Sequence, residues 1–119
     1  MKRKIITILL GSLTFISCSN DSENDLIELP VQQKVTYTNY VKAVIDTNCI
    51  ICHGATPSNG APMSLDTYIN VKEAVENRGL LDRISREQGA QGMMPSGGTR
   101  LPQSTIDEIK KWQTDGLLQ

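Results

Sequence analysis

The sequence predicts an all-α domain. Three observations lead there. Apolar residues recur three and four apart in four separate segments between Tyr37 and Gly116. Gly, Pro, Ser and Asn gather between those segments, where helices stop. No stretch alternates apolar and polar residues as a half-buried strand would, and no internal repeat is visible. With 119 residues, the chain has room for one domain and its targeting segment.

The elements follow in order. Tyr37 to Cys49 reads as a first helix, with Tyr40 or Val41, Val44, Ile45 and Asn48 at helical spacing. Ala55 to Pro62 is rich in turn formers and reads as a loop. Asp66 is placed to cap a second helix reaching about Asn77, with Val71 and Val75 as its apolar seam, Ile69 flanking, and Gly79 as its stop. A short helix follows from Leu80 to about Arg86, with Leu80, Leu81 and Ile84 inward. Gln88 to Pro102 is a long Gly- and Pro-bearing loop. Ser104 is expected to cap the last helix, with Asp107 in its first turn. Its inward positions are Ile106, Ile109, Trp112 and Gln113, and Gly116 ends it.

The first residues read as an export signal. Lys2-Arg3-Lys4 is basic, and Ile5 to Ile16 is apolar but too short for a comfortable membrane span. The stretch closes on Ser17-Cys18, which resembles the lipobox of bacterial lipoproteins, although Phe15 stands where that box usually carries an aliphatic residue. The resemblance implies a signal over residues 1–17 and lipid on Cys18. An ordinary cleaved secretory signal or an uncleaved anchor would also export the domain. Residues 18–35 then form a flexible acidic linker, because Ser19 to Asp25 has nothing apolar to bury. The domain proper is expected over residues 36–119.

Three of the 12 basic residues and none of the 13 acids lie in residues 1–17, so the remainder carries a net charge of −4. No basic patch interleaved with aromatics is present, which argues against a nucleic-acid partner. A mildly acidic surface favours basic redox partners.

Cysteine usage carries the chemistry. Apart from Cys18, the cysteines lie in Cys49-Ile50-Ile51-Cys52-His53, and C-x-x-C-H is the pattern of c-type haem attachment. At positions i, i+3 and i+4 of a helical turn, two thiols and one imidazole share a face. Both thiols can then bond the haem vinyl groups while His53 reaches the iron. A disulfide, a thioredoxin-like redox pair and a zinc site compete with this reading. The disulfide would close a small ring. The redox pair needs a strand–helix setting, and zinc needs a fourth ligand that the domain does not offer.

His53 is the sole histidine, so a bis-histidine site within the chain is excluded. The second axial position falls to a Met, to a Lys nitrogen, or stays open. Met1 is in the signal, and Met63 follows the motif too closely to reach the opposite haem face. Met93 and Met94 sit in the Gly92-to-Gly98 stretch, about forty residues after His53, where a loop can cross the haem.

From about Tyr37 to Gly116, the chain resembles small monohaem class I cytochromes c, in particular the short cytochrome c domain of exported Bacteroidota and Planctomycetota proteins. The matching residues are Cys49 to Gly54, Leu65-Asp66-Thr67-Tyr68, Leu80 to Ile84, Met94-Pro95-Ser96-Gly97-Gly98, and Ile106 to Gly116 with Trp112. The resemblance implies three to five short helices wrapped around one covalent haem. It implies Met94 as sixth ligand, with Met93 as the alternative. It also implies that the second ring nitrogen of His53 donates to a proline carbonyl, Pro62 first and Pro57 second. Arg78, Arg83, Arg86, Arg100, Tyr68 and Trp112 are candidates to meet the haem propionates.

With aromatics at 4%, the core is thin, and a buried porphyrin would supply the missing apolar mass. The haem-free domain is therefore expected to be poorly folded. A Met/His haem has no open position, so the expected function is electron transfer by an exported, membrane-tethered carrier rather than an enzyme. Two alternatives stay open. If neither Met binds iron, a haem with an open site would sense gas or act as a weak peroxidase. If no haem is attached, a small lipoprotein interaction module with a redox-active cysteine pair remains.

Overall fold

The computed structural model describes residues 33–119. The signal over residues 1–17, Cys18 and most of the linker lie outside the described residues. Among the described residues there are helices and no strands, so the domain is all-α. No helix among them is long and apolar enough to cross a membrane.

The first helix opens with a five-residue π-helical turn, Tyr37–Val41, and continues as α1, Lys42–Asn48. Thr36 and Asn39 form a reciprocal capping box at its start, which satisfies two orphan amides. α2, Ile50–His53, is a single turn set off from α1 at Cys49. α3 spans Tyr68–Asn77, α4 Leu80–Ser85 and α5 Gln103–Thr114.

Tyr37, Val41 and Ile45 form the buried stripe of the first helix at a spacing of four. They join Val71, Ala74 and Val75 of α3, Leu80 and Ile84 of α4, and Ile106, Ile109 and Trp112 of α5 in one core. Val44 and Leu81 pack against this core at its edge. Ile69 is largely exposed, so the seam of α3 runs through Ala74 instead.

Four details differ from the sequence expectation. Thr67, not Asp66, caps α3: it has extended backbone next to the first helical residue, and its hydroxyl accepts from the Asn70 amide at 3.2 Å. Asp66, one residue farther out, accepts from the Ser64 hydroxyl and the Asn70 side chain. The second difference is at α5, which begins before Ser104, with Pro102 at the cap position and no side-chain cap. Burial of Leu101 and Ile106 brackets that start, and Ser104 is left exposed. The third is Gln113, expected inward but exposed next to the buried Trp112. The fourth concerns Val35, assigned to the linker by composition. It is buried, and its amide donates to the Asp115 carboxylate at 3.3 Å.

The last helix closes as expected at Gly116, whose φ of +97° permits a left-handed turn. The amides of Gly116 and Leu117 return to the carbonyls of Gln113 and Trp112, the two bonds of a Schellman motif. This turn buries Leu117 and lays the tail on three aromatic rings. Tyr37, Tyr68 and Trp112 have centroids 5.5 to 6.4 Å apart. The Tyr68 hydroxyl donates to the Leu117 carbonyl at 2.8 Å. The Leu118 carbonyl accepts from the Trp112 indole at 2.6 Å and from the Tyr37 amide at 2.8 Å.

Candidate functional site

Cys49 marks the break between α1 and α2, with φ −120° and ψ −36°. The amides of Cys52 and His53 both return to its carbonyl, at 3.1 and 2.8 Å, which closes the turn. The two cysteines and His53 therefore lie within one helical turn, as the spacing predicts. Both thiols are free and half-buried. Burial pushes the Cys49 thiol up to about 11, so it holds little thiolate at neutral pH and makes a poor redox nucleophile. The Asn59 side chain donates through Nδ2 to the Cys52 sulfur at 3.4 Å.

His53 is buried, only 8% exposed. Its Nδ1 lies 2.8 Å from the Met63 carbonyl. A carbonyl can only accept, so Nδ1 carries a proton and Nε2 is the nitrogen left to act as a ligand. The resemblance implies a carbonyl of Pro62 or Pro57 on this nitrogen, and the structure places that of Met63 there instead. The reason is backbone register: the Leu65 amide donates to the His53 carbonyl at 2.7 Å, and Leu65 is buried. That fixed point brings the Met63 carbonyl to the ring. The Ser58 amide, bonded to the Cys52 carbonyl at 2.8 Å, ties the start of the same loop to the motif. Gly54 follows His53 where a Cβ would come within 3.1 Å of the Ile50 carbonyl.

The loop between α4 and α5 presents the two methionines. Met93 is buried, 6% exposed, whereas Met94 is half-buried and packs against the core. The Met94 amide donates to the Arg83 carbonyl at 3.1 Å, which fixes this part of the loop on α4.

The residues considered for propionates are occupied otherwise. Arg83 Nη1 donates to the Gly92 carbonyl at 3.2 Å, and Arg86 Nη1 to the Gln91 carbonyl at 2.6 Å. Arg100 donates through Nε to the Arg86 carbonyl at 3.0 Å and through Nη2 to the Gln103 side chain at 2.7 Å. It thus sits at the carbonyl end of α4, where a cation is favoured. Arg78 pairs with Glu73 on the surface. The donors of Tyr68 and Trp112 hold the C-terminal tail.

Sequence reasoning missed Met63, Asn59, Gln88 and Gly92. Met63 acts through its backbone, which leaves no side-chain signal. Gln88 bridges the neck of the methionine loop, taking the Arg100 amide at 2.6 Å and donating to the Gly98 carbonyl at 3.1 Å. For Gly92 the glycine itself was the signal, since its φ is +75°.

Among the described residues, no group of three or more His, Cys, Asp and Glu side chains is placed to hold a metal ion. No protein-family model, curated protein or solved structure matches the chain. The fold and site by themselves define an all-α domain with a C-x-x-C-H turn and a tethered methionine loop.

Proposed function

We propose that the chain is an exported, membrane-tethered monohaem c-type cytochrome that transfers single electrons. The observation that carries this reading is the turn Cys49–His53: two free thiols three residues apart, followed by an imidazole whose Nδ1 is committed to a carbonyl and whose Nε2 is left as the ligand atom. A ligating histidine needs this division of its two nitrogens. Thioether bonds at Cys49 and Cys52 and axial ligation by His53 would hold the haem.

Met94 is the sixth ligand in this reading. The resemblance implies Met94, and Met94 is half-buried where Met93 is buried. When bound, the haem supplies a one-electron iron couple, whose potential is raised by thioether ligation. The chain would contribute the fixed imidazole, apolar side chains and the loop that carries Met94. Basic redox proteins are the proposed partners, and a lipid on Cys18 the proposed tether to a membrane facing the periplasm or cell surface.

The test is an absorption spectrum of protein matured in a host with a c-haem assembly system. A haem that remains attached after denaturation is expected. Haem lost on denaturation would overturn the proposal. A Met–iron charge-transfer band in the oxidised form is expected to vanish in Met94→Ala and persist in Met93→Ala.

A further inference from the structure

The segment just before Met93 and Met94 is held in an unusual way. Arg83 and Arg86, both on or next to α4, send their guanidinium groups to consecutive carbonyls, Gly92 and Gln91. The two cations converge tightly: a Cβ at Gly92 would lie 2.1 Å from Arg83 Nη1 and 2.5 Å from Arg86 Nη1. Bringing two like charges onto adjacent peptide groups costs energy unless acceptors compensate. The two carbonyls do so, together with the Asp82 carboxylate, which takes Arg86 Nη2 at 2.7 Å. Arg83 grips the loop twice, because its own carbonyl receives the Met94 amide.

The loop needs such a grip. Between Gln88 and Arg100, apolar packing is confined to the buried Met93 and the half-buried Met94, so the rest of this stretch depends on polar contacts. The arginines are also not needed to solvate a buried charge, since each is exposed or half-buried.

Resting on the cytochrome reading above, we infer that Arg83 and Arg86 are positioning residues for the sixth ligand: they clamp the Gln91 and Gly92 carbonyls to α4 and so hold the Met94 thioether where iron would take it. Gly92 is part of the device, because any side chain there would displace both guanidinium groups.

The test uses the full chain matured with haem, as wild type, as Arg83→Gln/Arg86→Gln and as Arg83→Lys/Arg86→Lys. Four readouts are taken: haem retained on denaturation, the Met–iron charge-transfer band of the oxidised form, the reduction potential and far-UV circular dichroism. The glutamine pair is expected to keep covalent haem and helicity, to lose the band by about tenfold and to have a lower potential, as two charge-assisted bonds are lost. The lysine pair, which keeps a cationic donor on each side chain, is expected to recover most of the band. An undiminished band and potential in the glutamine pair, with a normal band in wild type, would overturn the clamp and leave the cytochrome reading standing. Loss of helicity together with the band would assign the arginines to folding and likewise overturn it. Wild type without covalent haem would overturn both.

Discussion

Around the tail, Tyr37, Tyr68 and Trp112 bury large rings against one another, and each contributes a donor to a C-terminal carbonyl. From Gln88 to Arg100 the chain is tied down differently: arginine and glutamine side chains stitch backbone carbonyls and amides together, and Met93 alone among hydrophobic residues is buried. Ring packing is cooperative with the core and hard to deform. Polar stitches on an accessible loop compete with water and fix position more than they stabilise. The first region holds the fold by packing, and the second fixes the path of its backbone by polar contacts.

Withholding haem is the harshest way to probe that contrast. The haem-free domain is expected to be poorly folded by circular dichroism, and a cooperative native-like melt would break the proposed dependence of the fold on haem. Trp112→Ala comes next, because it empties the fully buried centre of the aromatic cluster and removes a donor to Leu118. A loss of about 3–5 kcal/mol in denaturant unfolding is expected. Gly92→Ala attacks the other region. At φ +75° and against two guanidinium groups, it should cost about 1–2 kcal/mol and weaken the charge-transfer band, while Trp112→Ala acts mainly on stability.

Tyr68→Phe keeps the ring and removes one hydroxyl donor, so about 1 kcal/mol should be lost with the band unchanged. The smallest effect concerns acid. The Lys111 ammonium, through its hydrogen bond, holds the Asp115 carboxyl below the usual range; the Val35 amide and the charges of Lys111 and Lys34 act the same way, against burial. A carboxyl depressed in the folded state stabilises above its ordinary titration range and loses that contribution as pH falls through the folded value. Asp115→Asn should therefore show a slightly flatter fall in stability with acid than wild type, read as melting temperature against pH.

The sequence by itself determined the elements that depend on near neighbours. The C-x-x-C-H spacing put two thiols and an imidazole on one turn because 3.6 residues complete it. Gly79 and Gly116 ended their helices because they accept φ of +69° and +97°. The apolar stripes around Ile45, Val71 and Ile109 also lay in plain view.

Tertiary structure decided what depends on where the chain returns. The register of Leu65 on the His53 carbonyl gave the ring nitrogen to Met63 rather than to a proline. The packing of α4 beneath the methionine loop aimed Arg83 and Arg86 at backbone carbonyls. Long cationic side chains can reach many acceptors, and only the fold selects among them. The same holds for Tyr68 and Trp112, whose donors meet the tail because the turn at Gly116 folds it back over their rings.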